Sequence, residues 1–353
     1  MTGISSLIFA AIFVSGHCWK ATQHDVDVVN ARETLFKSKL YPHKDFDAMT
    51  MSKDFVQPKP PKSFGKRVHA IDPNSLPKSF DSREKWASCK SLFNIRDQSQ
   101  CGDCWAVAAA STLSDRMCIH TNGKFNDELS AQDITTCCPY CFSDNGCRGG
   151  DHFSAWRYWI EYGVVTGDSY GMGTGCQPYW LAPCGQHNTT YFRDCTHSTY
   201  PPDWQGTTTP WDYPYSPACS KQCQKGYAKT WDEDKKFGIT AYNFWPNDTT
   251  SVMYEIMNYG PVETSFHFCH EFNNYESGIY TQANCVPHGW HAVKIVGWGE
   301  ENGKPYWIVA NSFGNDWGEQ GFFRKLRNDC GDGDYFLDNV TGGLPRVPYN
   351  GDV

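Results

Sequence analysis

Three things are scarce or missing in this 353-residue chain. It has no long basic run, and its formal net charge is −8, which excludes a groove built to hold nucleic acid. Beyond its first residues it has no stretch approaching the ~18 apolar residues that a membrane helix needs, so no membrane partner is expected. No internal repeat is visible. The one clear apolar run, "ISSLIFAAIFV" at 4–14, is too short to span a bilayer. Followed by the small residues Ser15 and Gly16, it resembles a secretory signal peptide over 1–16, although the usual basic n-region is absent.

What the sequence has in plenty is cysteine. Seventeen of them in a chain entering the secretory route point to a disulfide framework in an oxidising compartment, lysosomal or extracellular. Three sequons, at Asn188, Asn247 and Asn339, fit the same route as glycosylation sites. Fourteen Trp and 19 Tyr beside 31 Gly and 20 Pro describe a rigid, loop-rich globular protein rather than a disordered one.

The texture changes along the chain. Residues 17–75 are polar and patchy and include "VQPKPPKSFGKRV" (56–68), whose Pro pairs and clustered basic residues form an exposed connection that a protease could cut. A segment upstream of a cuttable linker reads as a pro-region, leaving 76–353 as the working domain. Cys104 to Ile119 is predicted as a helix from its alanines and the apolar Val107, Leu113 and Met117. Gly150–Gly163 carries aromatics at helical spacing, read as core. Thr249–Gly260 is predicted as a third helix, closed by Gly260 and Pro261. From Pro261 onward strands dominate, with His291–Gly299 and Tyr306–Phe313 forming a hairpin around "ENGKP". Helices first and antiparallel strands second give an α+β fold of two lobes.

"QSQCGDCWA" (98–106) raises the question of chemistry. A cysteine nucleophile needs a thiolate, a base to hold its proton and donors for an oxyanion. Cys104 opens the predicted helix, where the dipole and free N–H groups favour a thiolate. Gln98 offers an amide donor six residues upstream. His291 opens an apolar strand, and Asn311 ends the strand paired to it, where its oxygen could orient the imidazole.

These stretches carry a resemblance. "DQSQCGDCWA", "WHAVKIVGWG" and "YWIVANSFGNDWGEQGFF" resemble the three active-site segments of papain-like cysteine proteases, in the same order and at similar distances. "CCPYCFSDNGCRGG" (137–150), "CQPY" (176–179) and the insertion up to "CSKQCQKGY" (219–227) place the resemblance in the cathepsin B branch, over nearly all of 76–346. It implies a helical lobe and an antiparallel β-barrel-like lobe with a cleft between them. It implies Cys104 as nucleophile, His291 as proton carrier, Asn311 as its orienter and Gln98 as oxyanion donor. Gly149, Gly150, His187, Phe313 and Trp317 become substrate-binding positions, with Phe313 standing where the family usually has Trp.

The same resemblance implies bridges Cys89–Cys118, Cys101–Cys147, Cys137–Cys219, Cys138–Cys141, Cys176–Cys223 and Cys184–Cys195. Cys269–Cys285 is added as an extra bridge, and Cys104 is left unpaired. Metal binding is disfavoured, since the bridges consume the candidate ligands, and no cofactor is expected. The partners implied are protein and peptide substrates, the chain's own upstream segment as inhibitor and cystatin-type inhibitors, with the enzyme a monomer. The competing reading is a catalytically silent interaction module.

Two departures from the family pattern stand out. Where an adjacent histidine pair holds a substrate's terminal carboxylate, this chain has "GQHN", with Gln186 in place of the first histidine. The acid that pairs with that histidine is present as Asp97 and is expected to have lost its partner. Weaker dipeptidyl carboxypeptidase and freer endopeptidase activity follow. The residue that sets basic preference in the S2 pocket is left among Asp334, Tyr335, Asp338 and Asn339.

Overall fold

A computed structural model describes residues 22–32, 34–41, 46, 49–51, 59–61, 63–187, 190–192, 216–282, 287–327 and 336–347. The elements run α1 (Gln23–Asn30), β1 (Phe36–Ser38), β2 (Gly65–Lys66), β3 (Phe80–Asp81), α2 (Ser82–Lys85), α3 (Cys104–His120), α4 (Ala131–Cys137) and α5 (His152–Glu161). They continue with β4 (Gln186–His187), β5 (Thr190–Tyr191), α6 (Trp231–Asp234), β6 (Gly238–Asn243), α7 (Thr249–Tyr259) and β7 (Val262–Cys269). The last are β8 (Tyr275–Tyr280), β9 (Pro287–Glu301), β10 (Lys304–Ala310), β11 (Phe322–Leu326) and β12 (Thr341–Pro345). This is an α+β architecture, with α3 to α5 in the first half and most of the sheet in the second, as the sequence predicts.

α3 runs through the middle of the molecule, and every residue from Cys104 to Ile119 is buried. Its small alanines allow close packing, and its two buried charges are each met by a partner. Asp115 faces Lys294 of β9 at 2.7 Å, and Arg116 faces Glu255 of α7 at 3.0 Å. A buried charge is tolerated only when paired in this way. Side chains start the other helices: Ser130 caps α4, Asp151 caps α5 and Asp248 caps α7, each accepting a backbone N–H. α7 ends where Gly260 takes φ +102°, a conformation that disfavours residues with a Cβ.

Ten strands form one sheet in the order β1-β8-β11-β10-β9-β7-β12-β6-β2, with β3 added on β9. Most neighbours are antiparallel, but β8 with β11 and β2 with β6 are parallel, a mixture that the all-antiparallel expectation did not include. β9 is the spine, pairing with β10 on one side and β7 on the other. The sheet's two edge strands, β1 and β2, both come from the segment before residue 76.

Two hydrophobic cores result. Trp105, Leu113, Trp156 and Trp159 centre the helical one, and Phe266, Phe272, Trp307, Trp317 and Phe323 centre the sheet one. The upstream segment inserts into both, giving Met51 and Phe64 to the first and Phe36, Phe46 and Met49 to the second.

Candidate active site

Cys104 is the first residue of α3 and the free cysteine among the described residues. Cys101, three residues earlier, is bridged to Cys147, and Gly102 donates its N–H to the Cys147 carbonyl at 2.7 Å. The turn that delivers the thiol is therefore fixed on both sides. Bridges Cys89–Cys118, Cys137–Cys219, Cys138–Cys141 and Cys176–Cys223 hold the rest of this lobe. Cys184 and Cys269 are also disulfide-bonded. Their expected partners Cys195 and Cys285 lie outside the described residues, as does Asn188.

His291 enters from the other lobe. It sits on β9 opposite Phe266 of β7, while Ala310 of β10 pairs with Lys294 of β9. Asn311 follows at once, and its Oδ1 lies 2.7 Å from His291 Nε2. Asn311 Oδ1 also accepts the Ser312 N–H at 2.8 Å, which fixes the amide oxygen toward the ring. Nε2 thus carries the hydrogen, and the buried Nδ1, with no hydrogen-bond partner among the described residues, is the nitrogen free to accept a proton. Phe313 covers the imidazole with ring centroids 4.8 Å apart, and Phe266, Phe268 and Phe272 surround it.

Gln98 completes the set. Its Nε2 donates to the Cys101 carbonyl at 2.8 Å, and its Oε1 accepts from Ser312 Oγ at 2.5 Å. The same Nε2 donates to the carbonyl of Met49 in the upstream segment, also at 2.5 Å. A peptide carbonyl therefore lies against the donor expected to serve an oxyanion. Met51 continues across the site, its N–H bonded to the Trp290 carbonyl at 3.0 Å. Thr50 passes so near Gly102 that a Cβ there would lie 2.5 Å from the Thr50 carbonyl oxygen.

Under this cover the thiol and the imidazole are both shifted toward their neutral forms. Burial pushes the Cys104 thiol up to about 12, against the pull of the Ala292, Trp105 and Met51 backbones. Burial likewise depresses His291 to about 4, against the Asn311 hydrogen bond. The helix tip was expected to lower the thiol pKa; in this covered form the loss of water outweighs the dipole.

The expected substrate positions fall in different surroundings. Gly149 takes φ +120°, and a Cβ on Gly150 would lie 2.3 Å from the Trp105 indole. Trp317 is fully buried below Phe313 and donates its indole N–H to the Asn273 carbonyl at 3.0 Å. Asn247 is exposed, Asp338 and Asn339 are half-buried, and residues 334 and 335 lie outside the described residues.

One expectation is corrected. Asp97 has not lost its histidine, because His187 takes the place of the missing one. His187 Nε2 lies 3.4 Å from Asp97 Oδ2 and 2.9 Å from the Cys184 carbonyl, and Nδ1 lies 3.2 Å from Asp316 Oδ1. Gly314, at φ +81°, leaves the room for this cluster: a Cβ there would lie about 3 Å from Asp97, Asp316 and His187 alike. Sequence reading missed Asp316, although "GNDWG" displays it. It also passed over Asp103, whose oddity is a carboxyl directly before the nucleophile candidate.

Among the described residues no group of three or more His, Cys, Asp or Glu side chains could hold a metal ion, and no helix is long and apolar enough to cross a membrane. A free thiol, an imidazole fixed by an amide and a glutamine holding a peptide carbonyl are the groups that thiol-dependent acyl transfer requires. Residues 76–336 match the model of the papain family cysteine proteases, and the chain belongs to that family.

Its relatives narrow the class to cathepsin B-like cysteine peptidases. It is 43% identical over 276 residues to cathepsin B-like cysteine proteinase 6 of Caenorhabditis elegans, covering 77% of this chain and 67% of that one. It is 39% identical over 336 residues to cathepsin B-like cysteine proteinase 4 of the same organism, covering 93% of each. Among solved structures, procathepsin B S9 from Trypanosoma congolense superposes with a TM-score of 0.72 at 29% identity, over 93% of this chain and 99% of that one.

Proposed function

We propose that this cathepsin B-like peptidase is made as a zymogen for the secretory route, lysosomal or extracellular, with 1–16 as signal peptide, 17–75 as inhibitory pro-segment and 76–353 as enzyme. The Cys104 proton passes to His291 Nδ1, and the sulfur attacks the substrate's carbonyl carbon. The oxyanion is received by Gln98 Nε2 and the Cys104 N–H. His291 then gives its proton to the leaving amine, and water attacks the thioester to free Cys104. Asn311 keeps the ring in the tautomer that exposes Nδ1. Glycans are proposed at Asn188, Asn247 and Asn339, and cystatin-type proteins are proposed as further inhibitors of a monomeric enzyme.

The observation that carries this reading is the Met49 carbonyl on Gln98. A chain held there blocks the cleft while displaying how a substrate carbonyl would lie. It also argues against the silent-module reading, because Cys104, His291, Asn311 and Gln98 are all retained around it. Cys104→Ser is expected to abolish hydrolysis of peptide substrates; retained turnover would overturn the assignment.

His187 refines the specificity. With carboxylates at 3.4 and 3.2 Å on its two nitrogens, it is poorly placed to hold a third, on a substrate terminus. Endopeptidase activity should dominate, so peptides with free and amidated C-termini should be cleaved at comparable rates. A strong preference for the free carboxylate would contradict it.

A further inference from the structure

Asp103, immediately before Cys104, is fully buried. It stands at the N-cap of α3 yet makes no side-chain capping hydrogen bond to that helix. Its carboxyl turns instead to Thr135 of α4, whose Oγ1 donates to Oδ2 at 2.8 Å. The Tyr179 hydroxyl lies 2.9 Å from Oδ1 and 3.1 Å from Oδ2. That same hydroxyl lies 2.9 Å from the main-chain carbonyl of Gln98.

Tyr179 has one proton and two buried claimants for it. If Asp103 is ionised, the hydroxyl serves either the carboxylate or the Gln98 carbonyl, and the other is left short, a costly state inside a protein. If Asp103 is protonated, its O–H donates to the Tyr179 oxygen, and Tyr179 donates to Gln98. Every group is then satisfied in one chain. Among the described residues, and beyond its own N–H, the ionisable groups around Asp103 are Cys104 on its own helix, Tyr179 from the loop after Cys176 and Asp97 behind Tyr179. None is a cation here.

We propose that Asp103 is a neutral carboxylic acid that joins the nucleophile's helix to the Gln98 loop through Tyr179, and that its ionisation opposes the Cys104 thiolate as pH rises. It is a positioning residue, since it acts through Cys104 and Gln98. Burial pushes its carboxyl up to about 7, and its charge in turn raises the Cys104 thiol. The effect on Cys104 rests on that residue's being the nucleophile; the proton on Asp103 does not.

Two measurements test the two halves separately. Asp103→Asn is suited to both, because its amide can donate to Tyr179 and accept from Thr135. The infrared difference between full-length Cys104→Ser and Cys104→Ser/Asp103→Asn chains should show a protonated carboxyl band at about pH 5 that fades by about pH 9. Absence of that band at acid pH would overturn the neutral acid, whether or not the enzyme hydrolyses peptides. In enzyme processed from the full-length chain, the ratio of Cys104 alkylation rates by iodoacetamide, Asp103→Asn over wild type, should climb about five-fold across the same range. A ratio flat with pH would reduce Asp103 to a packing role and overturn the second half.

Discussion

The two lobes are made rigid by different means. Between 89 and 223 the five bridges whose two ends are both described tie α3, α4 and the loops around them together, and Cys101, Cys138, Cys141 and Cys147 line the helical core. From 238 to 345 the chain relies on paired strands over a bed of rings, with Phe272 alone touching Phe266, Phe268, Tyr275, Tyr280, Phe313, Trp317 and Phe323. Cross-links limit the freedom of the unfolded chain, whereas aromatic packing works through buried area and ring geometry. The first lobe holds Cys104, the proposed nucleophile, on a stapled turn. The second holds His291, the proposed base, inside a cage of Phe rings. Both reach a fixed geometry, and the upstream segment spans the two because it contributes side chains to each core.

That division can be probed from the strongest effect down. His291→Ala, which removes the β lobe's contribution to the chemistry, is expected to lower kcat/KM by about 10³–10⁴, read on a peptide substrate. Phe272→Ala should cost the second lobe about 3–5 kcal/mol in denaturant unfolding, and it should loosen the cage around His291 as well. Cys101→Ser/Cys147→Ser should cost the first lobe about 2–5 kcal/mol by the same measurement and leave the β lobe's hydrogen-exchange protection in place. If either change melts both lobes equally, the two are one cooperative unit and the contrast fails.

Acid should act on the cover rather than on either lobe. His291 is held neutral, with its pKa depressed from 6.5 to about 4, so the covered form has full stability from this group above about pH 6.5 and loses it progressively toward pH 4. Accessibility of 36–51 to an added protease should rise over that window. A smaller effect is expected at the exit of the upstream segment, where His69 Nε2 lies 2.9 Å from Glu255 and its ring stacks on Tyr259. His69→Ala should loosen 64–70 by about 1–2 kcal/mol, seen as faster hydrogen exchange.

Much of this was legible in the sequence because it is local. Helix periodicity and alanine content placed α3, α5 and α7 within a few residues, and the turn "ENGKP" located the β9–β10 hairpin that presents His291 and Asn311. What escaped depends on contacts distant in sequence. β1 and β2 are three and two residues long and carry no pattern of their own; β8 and β6 define them. His187 reaching Asp97, and Tyr179 linking Asp103 to Gln98, join residues 76 to 90 positions apart, which spacing alone could not register. The burial that raises the thiol's pKa was hidden for the same reason, since Met51, 53 positions earlier, belongs to the buried cluster that encloses Cys104.

The direct trial of the whole account is covalent labelling of the full-length chain with an epoxide-type thiol inhibitor, followed by peptide mapping, before and after removal of the upstream segment. The label should fall on Cys104 and only once Met49–Met51 has left the cleft. Equal labelling of the intact chain, or label on any other residue, would contradict it.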